Sequence, residues 1–188
     1  MWQLVPFQIG IWNGWILMTV FILQMIMMAF ADKKVQERTH VPKEARKTRV
    51  EKTIRYLVNL VWFAALIYSV FLPLRTGTVW LVVGLLFFLP GVLMMAAGTA
   101  AFMTTPSERM IQKGVYRFSR HPMYLATFLV CLGSAIASTS WLFLVLTLIL
   151  IIGCHLEALL EERICVEKYG DVYRYYMEKV PRWVGTLK

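Results

Sequence analysis

The sequence predicts an all-α integral membrane protein: five transmembrane helices, the last two forming a C-terminal helical hairpin, with a cofactor pocket on the cytoplasmic side. Three observations carry that expectation. The 188 residues are 59% hydrophobic, with a mean hydropathy of +0.60, above the range of ordinary soluble chains. The apolar residues gather into five blocks that reach or approach the roughly 20 residues a helix needs to cross the hydrocarbon core. The cationic residues fall into three segments that five antiparallel spans bring to one side.

The first block covers 9–31. A cleaved signal peptide is the alternative for it, but no basic segment precedes the block and Asp32-Lys33-Lys34 follows directly, so it is expected to remain as a span. The second block, 54–74, has Arg55, Tyr56 and Asn59 at its entrance. The third, 79–102, contains Pro90-Gly91, which is expected to kink it. These three spans carry almost no ionisable groups and read as scaffold. Blocks 123–138 and 140–160 are joined only by Ala137-Ser138-Thr139-Ser140 and therefore form an antiparallel hairpin. The fourth is the shortest, and either starts below the membrane surface or crosses where the bilayer is thin. Met25, Met27, Met28, Met94 and Met95 read as fillers of apolar gaps rather than a soft-metal path, and no metal is expected.

The net charge of +9 could suggest nucleic acid, but its distribution argues against that partner. Nine of the twenty Lys and Arg residues lie between positions 33 and 55, four between 109 and 120, and six from 163 onward, leaving only Arg75 elsewhere. Clusters between apolar blocks suit contact with anionic headgroups of the lipid bilayer. The positive-inside rule then puts them in the cytoplasm, with the N-terminus outside and the C-terminus inside. Cys131, Cys154 and Cys165 show no Cys-x-x-Cys spacing and read as reduced thiols. Two regions follow: membrane scaffold over 1–103, including a basic loop at 32–53, and a catalytic region over 104–188.

The chemistry-bearing residues concentrate in that second region. Leaving the membrane through Thr104-Thr105-Pro106-Ser107-Glu108-Arg109, the chain turns at Gly114 and enters the fourth helix at Pro122, so Arg120 and His121 sit where that helix begins. The fifth helix acquires His155, Glu157, Glu161 and Glu162 before its apolar run has left the bilayer, continues to Tyr169 and is capped by Gly170. Helical spacing puts Glu157 and Glu161 on one face, with His155 and Glu162 on an adjacent one. The hairpin brings Arg120, His121 and Tyr124 opposite them. Ionisable groups at an apolar boundary are costly and are usually paired or functional. Interfacial salt bridges from Arg117, Arg120 and Arg163 are one reading, and a polar-ligand pocket is the other. The aromatic tail, Tyr169, Tyr173, Tyr175, Tyr176 and Trp183, is either a lid over that pocket or an interfacial belt. His155 is a candidate general base, or a histidine hydrogen-bonded within the hairpin.

Gly114-Val115-Tyr116, Arg120-His121-Pro122-Met123-Tyr124, Glu161-Glu162 and Lys168-Tyr169-Gly170-Asp171 with Tyr173 and Tyr176 together resemble the membrane methyltransferases related to isoprenylcysteine carboxyl methyltransferase. Phospholipid N-methyltransferases and small-thiol S-methyltransferases share the pattern, which covers roughly the last two-fifths of the chain. The resemblance implies S-adenosyl-L-methionine as cofactor and a lipophilic or small acceptor: an isoprenylcysteine carboxylate, a phospholipid amine or a thiol. It also implies that Gly114, Val115, Tyr116, His121, Pro122, Tyr124, Glu161, Glu162, Tyr173 and Tyr176 surround the cofactor, with Arg120, His155, Glu157 and Glu162 as catalytic candidates. One departure stands out. The isoprenylcysteine enzymes carry an arginine a turn before the paired glutamates, where this chain has Glu157; a carboxylate acceptor would be repelled there unless an arginine came in from elsewhere.

Sterol reductases are similar in their Arg-His-Pro, in Cys165-Val166-Glu167-Lys168-Tyr169-Gly170 and in Val180-Pro181, which would imply a reduced nicotinamide cofactor. They are usually much longer, and Trp183 departs from their tail. A non-enzymatic scaffold or transporter would treat the same charges as helix-end electrostatics.

Overall fold

Residues 2–30, 48–106 and 109–185 are described by the computed structural model, and among them every regular element is helical. In chain order these are α1 (Trp15–Ala29), α2 (Arg49–Ser69), α3 (Val79–Met103), a 3₁₀ turn (Gly114–Arg117), α4 (Pro122–Ser138), α5 (Trp141–Tyr169) and α6 (Asp171–Lys179). Two of them, α3 and α5, are long and apolar enough to cross a membrane, while α1 and α4 are shorter apolar helices. The basic loop at 32–53 lies outside the described residues as far as position 47, as do Ser107 and Glu108. Its last residues begin α2 through a capping box, in which the Glu51 N–H donates to Thr48 Oγ1 and the Thr48 N–H donates to the Glu51 carboxylate.

The first helix is shorter than the 9–31 block. Hydropathy counts side chains, whereas the backbone here is held by long-range partners that no local pattern reveals. Residues 2–14 run irregularly across one end of the bundle. The Gln3 N–H donates to the Thr139 carbonyl at 2.9 Å, and Gln3 in turn accepts from the Trp141 N–H at 3.0 Å. The buried Asn13 amide donates to the carbonyls of Gln8 (2.7 Å) and Val70 (2.6 Å). These bonds satisfy backbone groups that a helix would otherwise have to pair. Trp2 packs its ring against Trp80 and Trp141 beside them, and Arg75 donates to the Thr139 hydroxyl at 3.1 Å.

Helices α3 and α4 meet backbone to backbone. Gly84, Gly91 and Gly98, seven residues apart, form a buried stripe on α3. A methyl group on Gly84 would stand 2.5 Å from the Gly133 carbonyl oxygen, and one on Gly133 would stand 2.6 Å from the Gly84 carbonyl oxygen. Small residues permit this approach, and dispersion over the seam then holds the helices together where lipid offers no hydrophobic drive. The seam runs past Pro90, through which α3 continues as one helix. On the other side of the bundle, Gly153 lets α2 settle onto α5, where any added methyl would collide with Val58. That contact sets the register of α2 against the polar end of α5.

Gly133→Ala is expected to cost about 1–3 kcal/mol, because rigid backbone rather than a mobile side chain must yield. The thermal midpoint in detergent measures it; Val82→Ala, on the exposed face of α3, should leave the midpoint unchanged.

Candidate functional site

The polar end of the hairpin is built by two turns that glycine makes possible. Gly114 has φ of +60° and starts the 3₁₀ turn, which packs on the end of α3. The chain then reaches Ser119, whose hydroxyl accepts from the His121 N–H and donates to the Arg182 carbonyl at 3.0 Å. Pro122 follows at the first turn of α4, where a missing N–H leaves no bond unmade. Across the hairpin, α5 runs to Tyr169, and Gly170, with φ of +58°, reverses the chain into α6. Tyr173 and Tyr176 are buried there against Met110, Cys165 and Val166, and burial pushes both phenol pKa values up. The Tyr176 hydroxyl donates to the Tyr116 carbonyl at 2.6 Å, so the tail returns to the loop that precedes the hairpin.

Glu162 lies at the centre of this arrangement, with 4% of its surface exposed. Its Oε1 accepts from Arg120 Nε at 3.0 Å and from Arg182 Nε at 3.0 Å, and its Oε2 accepts from Arg182 Nη2 at 2.7 Å. His121 Nε2 stands 3.2 Å from Oε1. Arg120 has further work: its Nη1 donates to the carbonyls of Met177 (2.8 Å) and Val180 (3.0 Å), and its backbone N–H donates to the Pro181 carbonyl. Loop, hairpin and tail therefore converge on one carboxylate through charge-assisted bonds.

Its neighbour Glu161 is different. A third of that side chain is exposed, and its carboxylate accepts from the Tyr124 hydroxyl at 2.6 Å. His121 Nδ1 is 3.5 Å from Glu161, so one buried imidazole bridges both carboxylates. Burial pulls the His121 pKa down, but the two carboxylates outweigh it and hold it above its ordinary value. The His121 ring stacks near that of Tyr124, and Trp183 leans on both His121 and His155. The Trp183 indole N–H donates to His155 Nδ1 at 3.3 Å.

Glu157, 2% exposed, meets Arg55 Nη1 of α2 at 3.3 Å. Four residues earlier on α2, Glu51 meets Arg163 at 2.8 Å. Helix α2 contributes two ion pairs to the polar end, Arg55 with Glu157 and Glu51 with Arg163. Arg163 donates to Glu51 of α2, with Glu167 of α5 adding to the negative charge around it, and Arg117 has no carboxylate partner among the described residues. Arg120, His121, Tyr124, Glu161 and Glu162 come together as their spacing predicts. Gly114, Val115 and Tyr116 form the turn beneath them. Sequence reasoning missed Arg182, although a buried Glu162 between an arginine and a histidine invites a further cation.

The family model of phospholipid methyltransferases matches residues 75–172, more than half of the chain. The chain belongs to this family. No curated protein matches it. Family membership, with the two long apolar helices, makes it a membrane protein, and implies methyltransferase activity. The family match spans α3 to α5 and so covers Arg120, His121, Glu161 and Glu162, but it leaves out α2 with Arg55 and the tail with Arg182 and Trp183.

Because the folded-state pKa of His121 is raised, its bridge contributes fully below the ordinary imidazole value and is lost as pH rises through the raised one. The thermal midpoint is expected to fall as the pH rises above the ordinary imidazole range, and His121→Gln should flatten that slope. An identical slope in the variant would contradict the bridge.

Proposed function

We propose that this chain is an S-adenosyl-L-methionine-dependent methyltransferase whose helices α1 to α5 all cross the membrane. It methylates a lipophilic or small acceptor, an isoprenylcysteine carboxylate, a phospholipid amine or a thiol, at the cytoplasmic face. Among the described residues, Arg55 and Arg163 meet carboxylates at the same end of the molecule as Arg120 and Arg182. That grouping supports an outside N-terminus and an inside C-terminus.

One observation carries the reading: of two adjacent carboxylates, Glu162 is locked by two arginines and a histidine while Glu161 is left open in an aromatic corner. The residues present fit the cofactor. Glu161 can accept from an amine or a ribose hydroxyl, and Tyr124 and Trp183 offer π-faces suited to a sulfonium. The Thr99 hydroxyl is buried near the end of α3 with no partner among the described residues, and lacks what a ligand donor or acceptor would supply. When bound, S-adenosyl-L-methionine supplies an electrophilic methyl group. The chain's own contribution is alignment and exclusion of water by the tail, so no covalent nucleophile is required. His155 is held by Trp183 at Nδ1, which favours a role in anchoring the tail over one as general base. Glu162, held by Arg120, Arg182 and His121, acts as the anchor, and Glu161 as the cofactor ligand.

Calorimetric titration of the detergent-solubilised protein with S-adenosylhomocysteine is the test. Saturable binding is expected, weakened roughly tenfold or more in Glu161→Gln, with no binding of the reduced nicotinamide cofactor. Binding of the nicotinamide alone would favour a reductase, and binding of neither by folded protein would favour a scaffold or transporter.

A further inference from the structure

The end of the bundle remote from the site has a surface that suits neither bulk water nor hydrocarbon. Residues 2–14, 70–80 and 135–142 meet there, and Arg75 is the only ionisable side chain in those three stretches. Within 2–14, Leu4, Phe7, Ile9, Ile11 and Trp12 are each at least 66% exposed. A contiguous apolar surface of this kind marks contact with a partner or a membrane.

Beneath that surface the chain itself takes the place of water. A helix start leaves four N–H groups without intrahelical partners, and at α5 all four are bonded. Ser140 donates to the Ala135 carbonyl, Trp141 to that of Gln3, Leu142 to that of Leu4, and Phe143 to the Ser140 hydroxyl. The carbonyls that follow α2 are met likewise, Phe71 by the Gln8 N–H and Leu72 by the Gly14 N–H. Helix ends in a low-dielectric medium need such internal partners. Helix α4, with 17 residues, is about 25 Å long, against a hydrocarbon core of roughly 30 Å. A hairpin with its polar end at one surface therefore turns before the other, and residues 2–14 cover the turn.

The same run limits its own depth. The Ile9, Gly10 and Ile11 N–H groups have no partner among the described residues, and irregular backbone exposed to acyl chains is not tolerated. Five of the seven tryptophans, Trp2, Trp12, Trp15, Trp80 and Trp141, lie at this end, and tryptophan collects where acyl chains give way to headgroups.

We propose that residues 2–14 form an interfacial plate seated at the headgroup–acyl boundary of the leaflet remote from the site. Leu4, Phe7, Ile9, Ile11 and Trp12 insert between lipids, while the amides of Ile9 to Ile11 meet headgroup oxygens. The plate sets the depth of the short hairpin beneath it. This rests on the reading of α4 and α5 as membrane spans.

Nitroxide labels at Ile9→Cys and Ile11→Cys, one at a time, test it in the full chain reconstituted into phosphatidylcholine vesicles. Cys165→Ala removes the partly exposed native thiol, the other two being buried. Exposed positions supply the references: Ile152→Cys midway along α5 for the acyl interior, and Asp171→Cys at the start of α6 for water. Collision rates are measured with oxygen, which concentrates in lipid, and with a water-soluble nickel chelate. Both plate labels are expected to meet both reagents, with nickel access several times below that at Asp171 and several times above that at Ile152. Nickel access equal to either reference overturns the plate, since the run then faces bulk water or acyl chains. Exclusion of both reagents also overturns it, because a second copy of the chain or another protein then covers the run. Free nickel access at Ile152 instead overturns the reading of α5 as a span, and the plate with it.

Discussion

A carboxylate buried among packed helices must be met by cations, and in this chain that requirement organises the structure around Glu162. Desolvating an isolated carboxylate costs several kcal/mol, so the side chain is tolerable only where Arg120, Arg182 and His121 reach it together. Those three residues come from the loop before the hairpin and from the tail after it. The tail also packs Tyr173, Tyr176 and Val180 against Met110, Cys165 and Val166, and the shared charge adds a tie between the two segments. Arg120 extends the tie by donating to the backbone carbonyls of Met177 and Val180, which orders the end of α6.

The consequence for chemistry is a division of labour along one helix. Glu162 is held by two arginines and a histidine, Glu161 keeps a partly exposed carboxylate one residue away, and Glu157 pairs with an arginine from α2. Three acidic residues within six positions thus do three different things, and what separates them is which neighbour each one meets. The close approach of α2 to α5 at Gly153 is part of this: without it Arg55 would not lie over Glu157.

Much of this was legible in the sequence. Apolar block length and the four-residue link predicted the hairpin; Pro122 and Gly170 marked its polar ends; helical spacing placed His121 and Tyr124 opposite the glutamates. Three features were not legible, for physical reasons. The partner of Glu157 lies about a hundred residues away, and nothing local to Arg55 distinguishes it from the other cations at the start of α2. Arg182 follows the last helix, where charge patterning has no period to follow. The irregular run before α1 is stabilised by carbonyls of distant turns, so the apolar composition of 9–31 misleads about where the helix begins. The glycine stripe of α3, by contrast, was present as a seven-residue spacing, and only the backbone contact with α4 gives that spacing its meaning.

Hydrogen exchange followed by mass spectrometry, comparing the wild type with Glu162→Gln, tests most directly whether one carboxylate ties loop and tail to the hairpin. The expected result is joint loss of amide protection in the 114–121 segment and the 171–182 segment, with the α3–α4 seam unchanged. Wild-type protection of the tail in Glu162→Gln, or loss confined to one of the two segments, would contradict it.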